Sequence, residues 1–163
     1  MSEWIPLIFF PVCVLIFGMV GGLITSKKIP TWYKYLVKPK YNPPNWIFAP
    51  VWTTLYLMIG FSGYFAYVQD DTGFSTEKKE GWICYFIQLI LNFLWTPLFF
   101  GLNWMFVAGI EIMIMDIFII LNIIFFSEIS LLSGLLLVPY FMWVSFATYL
   151  NWALWHHNRK EKR

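Results

Sequence analysis

The chain has 163 residues, of which 60% are hydrophobic, 22% aromatic and only 12% charged, with a formal net charge of +2 and a mean hydropathy of +0.65. That leaves too little charge to coat a soluble domain of this size or to bind a nucleic acid, and Cys13 and Cys84, each inside an apolar stretch, read as free thiols that pack as small hydrophobes. No Lys or Arg occurs between Asn42 and Glu77, or between Glu80 and Asn158, so most of the chain has lipid as its solvent.

A helix needs about 20 apolar residues to cross the hydrocarbon. Residues 4–26 are uncharged and long enough; Glu3 rather than a basic segment precedes them and no cleavage pattern marks Gly21 and Gly22, so this first span is expected to be retained. Lys27, Lys28, Pro30, Lys34, Lys38, Pro39 and Lys40 form a basic connection, and Pro43-Pro44 turns the chain into a second span over 46–69. Asp70, Asp71, Gly73 and the Glu77 to Glu80 cluster make a second loop. The apolar run that follows is too long for one crossing; Pro97, Gly101 and Asn103 divide it into spans over 81–100 and 105–127. A fifth covers 131–155, with a basic tail over 156–163. Alternation of period two is absent, which argues against a β-barrel, and no internal repeat supports an inverted-repeat transporter. The expected fold is an all-α membrane protein, a single domain built as a five-transmembrane-helix bundle. Five spans put the termini on opposite sides, and nine of the eleven basic residues lie in the first loop and the tail, so the positive-inside rule makes the C-terminus cytosolic.

Helical spacing defines an inward stripe on four spans: Trp52, Tyr56, Ile59 and Gly63; Gln88, Asn92, Trp95 and Phe99; Glu111, Met115, Phe118 and Asn122; and Tyr140, Ala147 and Asn151 with Trp143 beside them. Polar groups facing acyl chains are costly, so each stripe is expected to point inward, either to hydrogen-bond between helices or to line a cavity. Trp4, Trp82, Trp104 and Trp155 stand at span ends and read as interfacial anchors. Glu111 and Asp116 are the acids inside a span, about 140° apart around the helix with no basic residue in the spans to meet them; each needs a hydrogen-bond partner or a wet cavity, and a proton relay is the alternative to a structural bond. His156 and His157 are adjacent, diverge by about 100° and make a poor metal pair. Gly18 and Gly22 form a GxxxG that serves close packing within the chain or a dimer seam.

Three groups of residues carry a resemblance. Trp32-Tyr33, Lys38-Pro39, Asn42-Pro43-Pro44-Asn45-Trp46, Ala49-Pro50-Val51-Trp52-Thr53 and Leu55-Tyr56 come first. Leu91-Asn92-Phe93-Leu94-Trp95-Thr96-Pro97-Leu98-Phe99-Phe100-Gly101 is the second, and Pro139-Tyr140-Phe141-Met142-Trp143 with Phe146-Ala147-Thr148 the third. In this order and over nearly the whole chain, the sequence resembles the translocator protein family, also called peripheral-type benzodiazepine receptors or tryptophan-rich sensory proteins.

The resemblance implies a membrane receptor or carrier that binds sterols, porphyrins and other tetrapyrroles, and benzodiazepine- or isoquinoline-type drugs inside the helix bundle, as a homodimer among membrane lipids. It places such a protein in the outer mitochondrial membrane of a eukaryote or the cell envelope of a bacterium. It needs no metal or resident cofactor, a porphyrin being a ligand. The aromatic excess agrees, because flat rings around a few polar groups suit a large planar ligand. Carried over by resemblance, the ligand contacts are Gly22, Thr25, Phe48, Ala49, Val51, Trp52, Asn92, Trp95, Val107, Ile110, Ile114, Trp143, Ala147 and Leu150. Val107 replaces a tryptophan common in mammalian members, and the mammalian sterol motif is degenerate here, with Trp152 and His156 following Leu150. Glu111 lies where the family commonly has an acid. Two alternatives stay open at this stage: a porphyrin-degrading enzyme using pocket tryptophans, and a proton-coupled transporter or channel built on Glu111 and Asp116.

Overall fold

The computed structural model describes residues 4–70 and 74–159; Asp71, Gly73 and the tail residues Lys160, Lys162 and Arg163 lie outside them. Five helices are long and apolar enough to cross a membrane, and no strand occurs among the described residues. They are α1 (Trp4–Lys28), α2 (Asn45–Gln69), α3 (Lys79–Thr96), α4 (Met105–Ile129) and α5 (Leu131–Asn158). A helix of 25 residues is about 37 Å long, more than the roughly 30 Å of hydrocarbon.

The helices close a ring in the order α1, α2, α5, α4, α3, with α3 returning to α1 through a lighter contact. Close approach has identifiable causes. A methyl group at Gly60 would overlap the Pro11 backbone, so α1 and α2 touch main chain to main chain. Gly18 leaves room for the Tyr56 ring, whereas a side chain at Gly22 would meet nothing within 4 Å among the described residues. The GxxxG is therefore split: its first glycine packs inside the chain and its second faces outward.

α3 does not stop at Thr96. It widens into a π turn over Pro97–Gly101, where Leu102 N–H reaches the Pro97 carbonyl at 2.8 Å and Trp104 N–H the Leu98 carbonyl at 3.0 Å. Asn103, at φ 58°, then reverses the chain into α4; a short polar side chain tolerates that left-handed conformation.

The two ends of the bundle are built differently. At one, Trp82 meets Phe74, Phe126, Tyr85 and Phe10 with ring centroids 4.5, 5.1, 5.7 and 6.0 Å away. Its indole N–H donates to Asp70 Oδ2 at 3.5 Å, which also accepts from the Ser75 N–H at 2.9 Å. Trp82 is only 4% exposed, which corrects its reading as an interfacial anchor: it is the centre of an aromatic plug. Trp4 and Trp104 are exposed as that reading requires, and so is Trp46 at the start of α2. Close to the plug, Ser62 and Ser133 each donate to the other's carbonyl, at 2.8 and 2.6 Å, and stitch α2 to α5.

At the other end the connection between α1 and α2 folds across the bundle. Tyr33 is buried against Phe100, Trp32 stands edge-on to Phe99, and the Tyr33 hydroxyl donates to Asn42 Oδ1 at 2.9 Å. Burial raises the Tyr33 phenol above its ordinary pKa, and the Asn42 hydrogen bond offsets part of that. Lys38 Nζ donates to the carbonyls of Tyr33, Lys34 and Leu36. Asn158 holds the loop from the far end of the chain: its Oδ1 accepts from Val37 N–H at 2.9 Å and its Nδ2 donates to Val37 C=O at 3.0 Å. α5 thus runs past the expected end of its span, and its last turn is a latch.

Candidate functional site

Between these ends lies a layer where all the inward stripes meet. On α2, Trp52 stacks on Tyr56 at 5.4 Å and presents its edge to Tyr140 of α5 at 6.5 Å. Phe48, one turn earlier, meets Trp143 at 6.0 Å. On α3, Asn92 joins three helices: its Oδ1 accepts from the Tyr56 hydroxyl at 3.2 Å, and its Nδ2 donates to the Tyr140 oxygen at 2.9 Å. The Tyr140 hydroxyl in turn points to Met115 Sδ on α4. A second network sits nearer the basic loop. Trp95 stacks on Phe99 at 4.9 Å and donates its indole N–H to Asn151 Oδ1 at 3.2 Å, while Asn151 Nδ2 donates to the Met105 carbonyl at 2.8 Å.

The residues carried over as ligand contacts therefore divide. Val51, Trp52, Trp95, Trp143 and Ala147 are half-buried and pack on the central core, with Asn92 inside it. Phe48 stands against Trp143, Leu150 is buried on α5, and Thr25 is half-buried at the basic end of α1 with its hydroxyl on the Gly21 carbonyl. Gly22 and Ala49 are exposed. Val107, Ile110 and Ile114, at 44%, 44% and 42% exposure, lie on the outward side of α4 because Ala108, Glu111, Ile112 and Met115 take its inward side. The structure does not bring these five to the interior layer.

The two acids differ in their surroundings. Asp116 lies on the α4–α5 seam, where Ser145 Oγ is 3.3 Å from Oδ1 and Thr148 Oγ1 is 2.8 Å from Oδ2. Thr148 Oγ1 is also 2.9 Å from the Val144 carbonyl, so its single hydrogen has two acceptors. Glu111 is enclosed, 8% exposed, and neither carboxyl oxygen meets a hydrogen-bond partner among the described residues. Gln88, fully buried one turn from Asn92, likewise has no partner for either amide atom among them. The sequence stripes had placed Gln88, Asn92, Glu111 and Tyr140 inside, and all four are there. Ser62, Ser133 and Asn158 were missed; serines are too common in spans and the Asn158 pair too distant in sequence for spacing to reveal them.

An α-helical protein of five membrane spans, with an aromatic interior threaded by side-chain amides and phenols, is the class that fold and interior define. The chain belongs to the TspO/MBR family, whose model matches residues 9–156. It is similar to the tryptophan-rich protein TspO of Archaeoglobus fulgidus, at 41% identity over 87% of this chain and 90% of that protein. It is also similar to the translocator protein of Bos taurus, at 33% identity over 96% and 92%, and to protein CrtK of Rhodobacter capsulatus, at 32% over 99% and 98%. The protein is thus an integral membrane protein of a translocator and receptor family.

Proposed function

We propose that the protein binds lipophilic, largely flat ligands, with sterols, tetrapyrroles and isoquinoline- or benzodiazepine-type drugs as the classes to expect, in a recess walled by Phe48, Val51, Trp52, Asn92, Trp95, Trp143, Ala147 and Leu150. The observation that carries this reading is the set of half-buried aromatic rings at the α2–α5 seam, which are neither sealed in the core nor turned to the acyl chains. The aromatic plug closes one end of the bundle, so ligands enter from the end covered by the basic loop or between helices. In this reading that basic end is cytosolic, since nine of the eleven basic residues belong to it and the tail. The membrane is the outer mitochondrial one in a eukaryote or the cell envelope in a bacterium, and the outward residues Gly22, Ala49, Val107, Ile110 and Ile114 serve contacts with lipid or a second copy.

The test is a titration of protoporphyrin and an isoquinoline carboxamide against protein in nanodiscs, for wild type and for Trp52→Ala and Trp143→Ala. Losing a stacking partner costs about 1 kcal/mol or more, roughly a fivefold loss of affinity. Unchanged affinity for both ligands in both variants would place the site elsewhere.

A further inference from the structure

Most polar groups of the interior layer satisfy one another. Tyr56, Asn92, Tyr140 and Met115 form one chain, and Trp95, Asn151 and the Met105 carbonyl another. Glu111 stands between Ala108 and Met115 on the inward side of α4, and those two neighbours are 0% and 1% exposed, so the carboxyl belongs to the bundle rather than the lipid. It nevertheless has no donor among the described residues, while Asp116, five residues on, has two hydroxyls. The sequence supplies no Lys or Arg within the spans to meet it. Gln88 on the neighbouring helix α3 is likewise unengaged, at its amide nitrogen as well as its amide oxygen. An enclosed acid without a donor is expensive to keep in a membrane bundle, and its expense is removed when a bound molecule brings the missing hydrogen.

We propose that Glu111 is the polar anchor of the interior site and selects lipophilic ligands that carry a nitrogen–hydrogen donor, an amine or an N–H heterocycle, over isosteres that lack it. This rests on the interior recess proposed above. The aromatic walls hold the flat body of the ligand whatever its heteroatom; the carboxyl of Glu111 distinguishes the heteroatom. Trp95 offers only a donor, and Asn92 Oδ1 already accepts from the Tyr56 hydroxyl.

Carbazole and dibenzofuran form a suitable probe pair, since they share shape and size and differ by an N–H in place of a ring oxygen. Binding of each is measured in nanodiscs against protein-free nanodiscs, which removes their unequal partition into lipid. Wild type should prefer carbazole by about tenfold or more, as expected of a hydrogen bond to an otherwise unpaired buried acid. Glu111→Gln, which keeps an acceptor, should retain part of the preference, and Glu111→Leu should abolish it while still binding dibenzofuran as wild type does. Without ligand, Glu111→Leu should unfold at the wild-type temperature or above, because no existing bond is lost. Equal binding of the two probes by wild type, a preference that survives in Glu111→Leu, or a lowered unfolding temperature showing that the carboxyl already has a structural partner would each overturn the inference and leave the recess standing. Failure of wild type to bind either probe or protoporphyrin would overturn the recess and the anchor together.

Discussion

Asn92→Leu is the sharpest probe of the interior, because it removes a side chain that bonds to two other helices without changing the apolar volume greatly. It deletes two interhelical hydrogen bonds, at 3.2 Å from Tyr56 and 2.9 Å to Tyr140. Measured interhelical bonds in membrane bundles average about 0.6 kcal/mol each, so the pair is worth about 1.2 kcal/mol. Tyr140 keeps Met115 Sδ as an acceptor, but the Tyr56 hydroxyl is left without its partner, which adds about 1 kcal/mol or more. The expected loss is therefore about 2–3 kcal/mol. Tyr56→Phe removes one bond together with the hydroxyl that made it and should cost only about 0.6 kcal/mol. Since the orphaned hydroxyl no longer exists in the double variant and the bond between the two residues is lost only once, Asn92→Leu with Tyr56→Phe should be less destabilised than the sum of the two, by about 1.6 kcal/mol. Reversible unfolding in mixed detergent micelles reads all three. An Asn92→Leu protein as stable as wild type, or strictly additive effects, would show that this network does not hold the bundle together.

Further expectations follow from the packing and the loop. Gly60→Ala should lower the unfolding temperature clearly, because the new methyl meets the Pro11 main chain, at a typical cost of about 1–3 kcal/mol; Gly22→Ala should leave it unchanged. Ala147→Phe should block a bulky ligand while the fold survives, read by isoquinoline carboxamide titration and thermal stability side by side; wild-type affinity with wild-type stability would remove Ala147 from the site. Asn158→Leu should release the Val37 segment, read as faster proteolysis between residues 34 and 40 in detergent with the helices still intact. The folded protein holds the Tyr33 proton more tightly than the unfolded chain, which gives it up near pH 10. Stability should therefore fall as pH rises past about 10, and the fall should be smaller in Tyr33→Phe than in wild type.

The five spans were legible because charge is confined to short stretches and because apolar runs of membrane length leave little choice of boundaries. The inward stripes of α2, α3 and α5 were legible for a related reason: a polar or aromatic residue recurring every three or four positions marks one face, and Asn92, Trp95 and Asn151 are found bonded there. α4 was harder. Its stripe of Glu111, Met115 and Asn122 is buried as the spacing predicts, but Val107, Ile110 and Ile114, carried over by resemblance, lie off that stripe and face outward. Trp82 was misplaced because a tryptophan at a span end looks the same whether it faces headgroups or a cluster of rings contributed by α1, α3 and α4. Span boundaries cannot reveal a π turn either, since its signal at Pro97 is also that of a simple helix end.

The order of the ring sets the order of assembly. α1 with α2, and α3 with α4, are hairpins of consecutive helices that can pair as soon as they are inserted, yet α2 does not lie beside α3 in the sequence of the ring. α5 occupies the place between α2 and α4, supplies Ser133 for Ser62, Tyr140 for Asn92 and Asn151 for Trp95, and carries Asn158 for the first loop. The keystone is thus the last of the five helices to leave the ribosome. Until it arrives, two hairpins wait in the bilayer with their polar groups unmet, and a chain that ends before Leu131 should present those groups to quality control rather than mature.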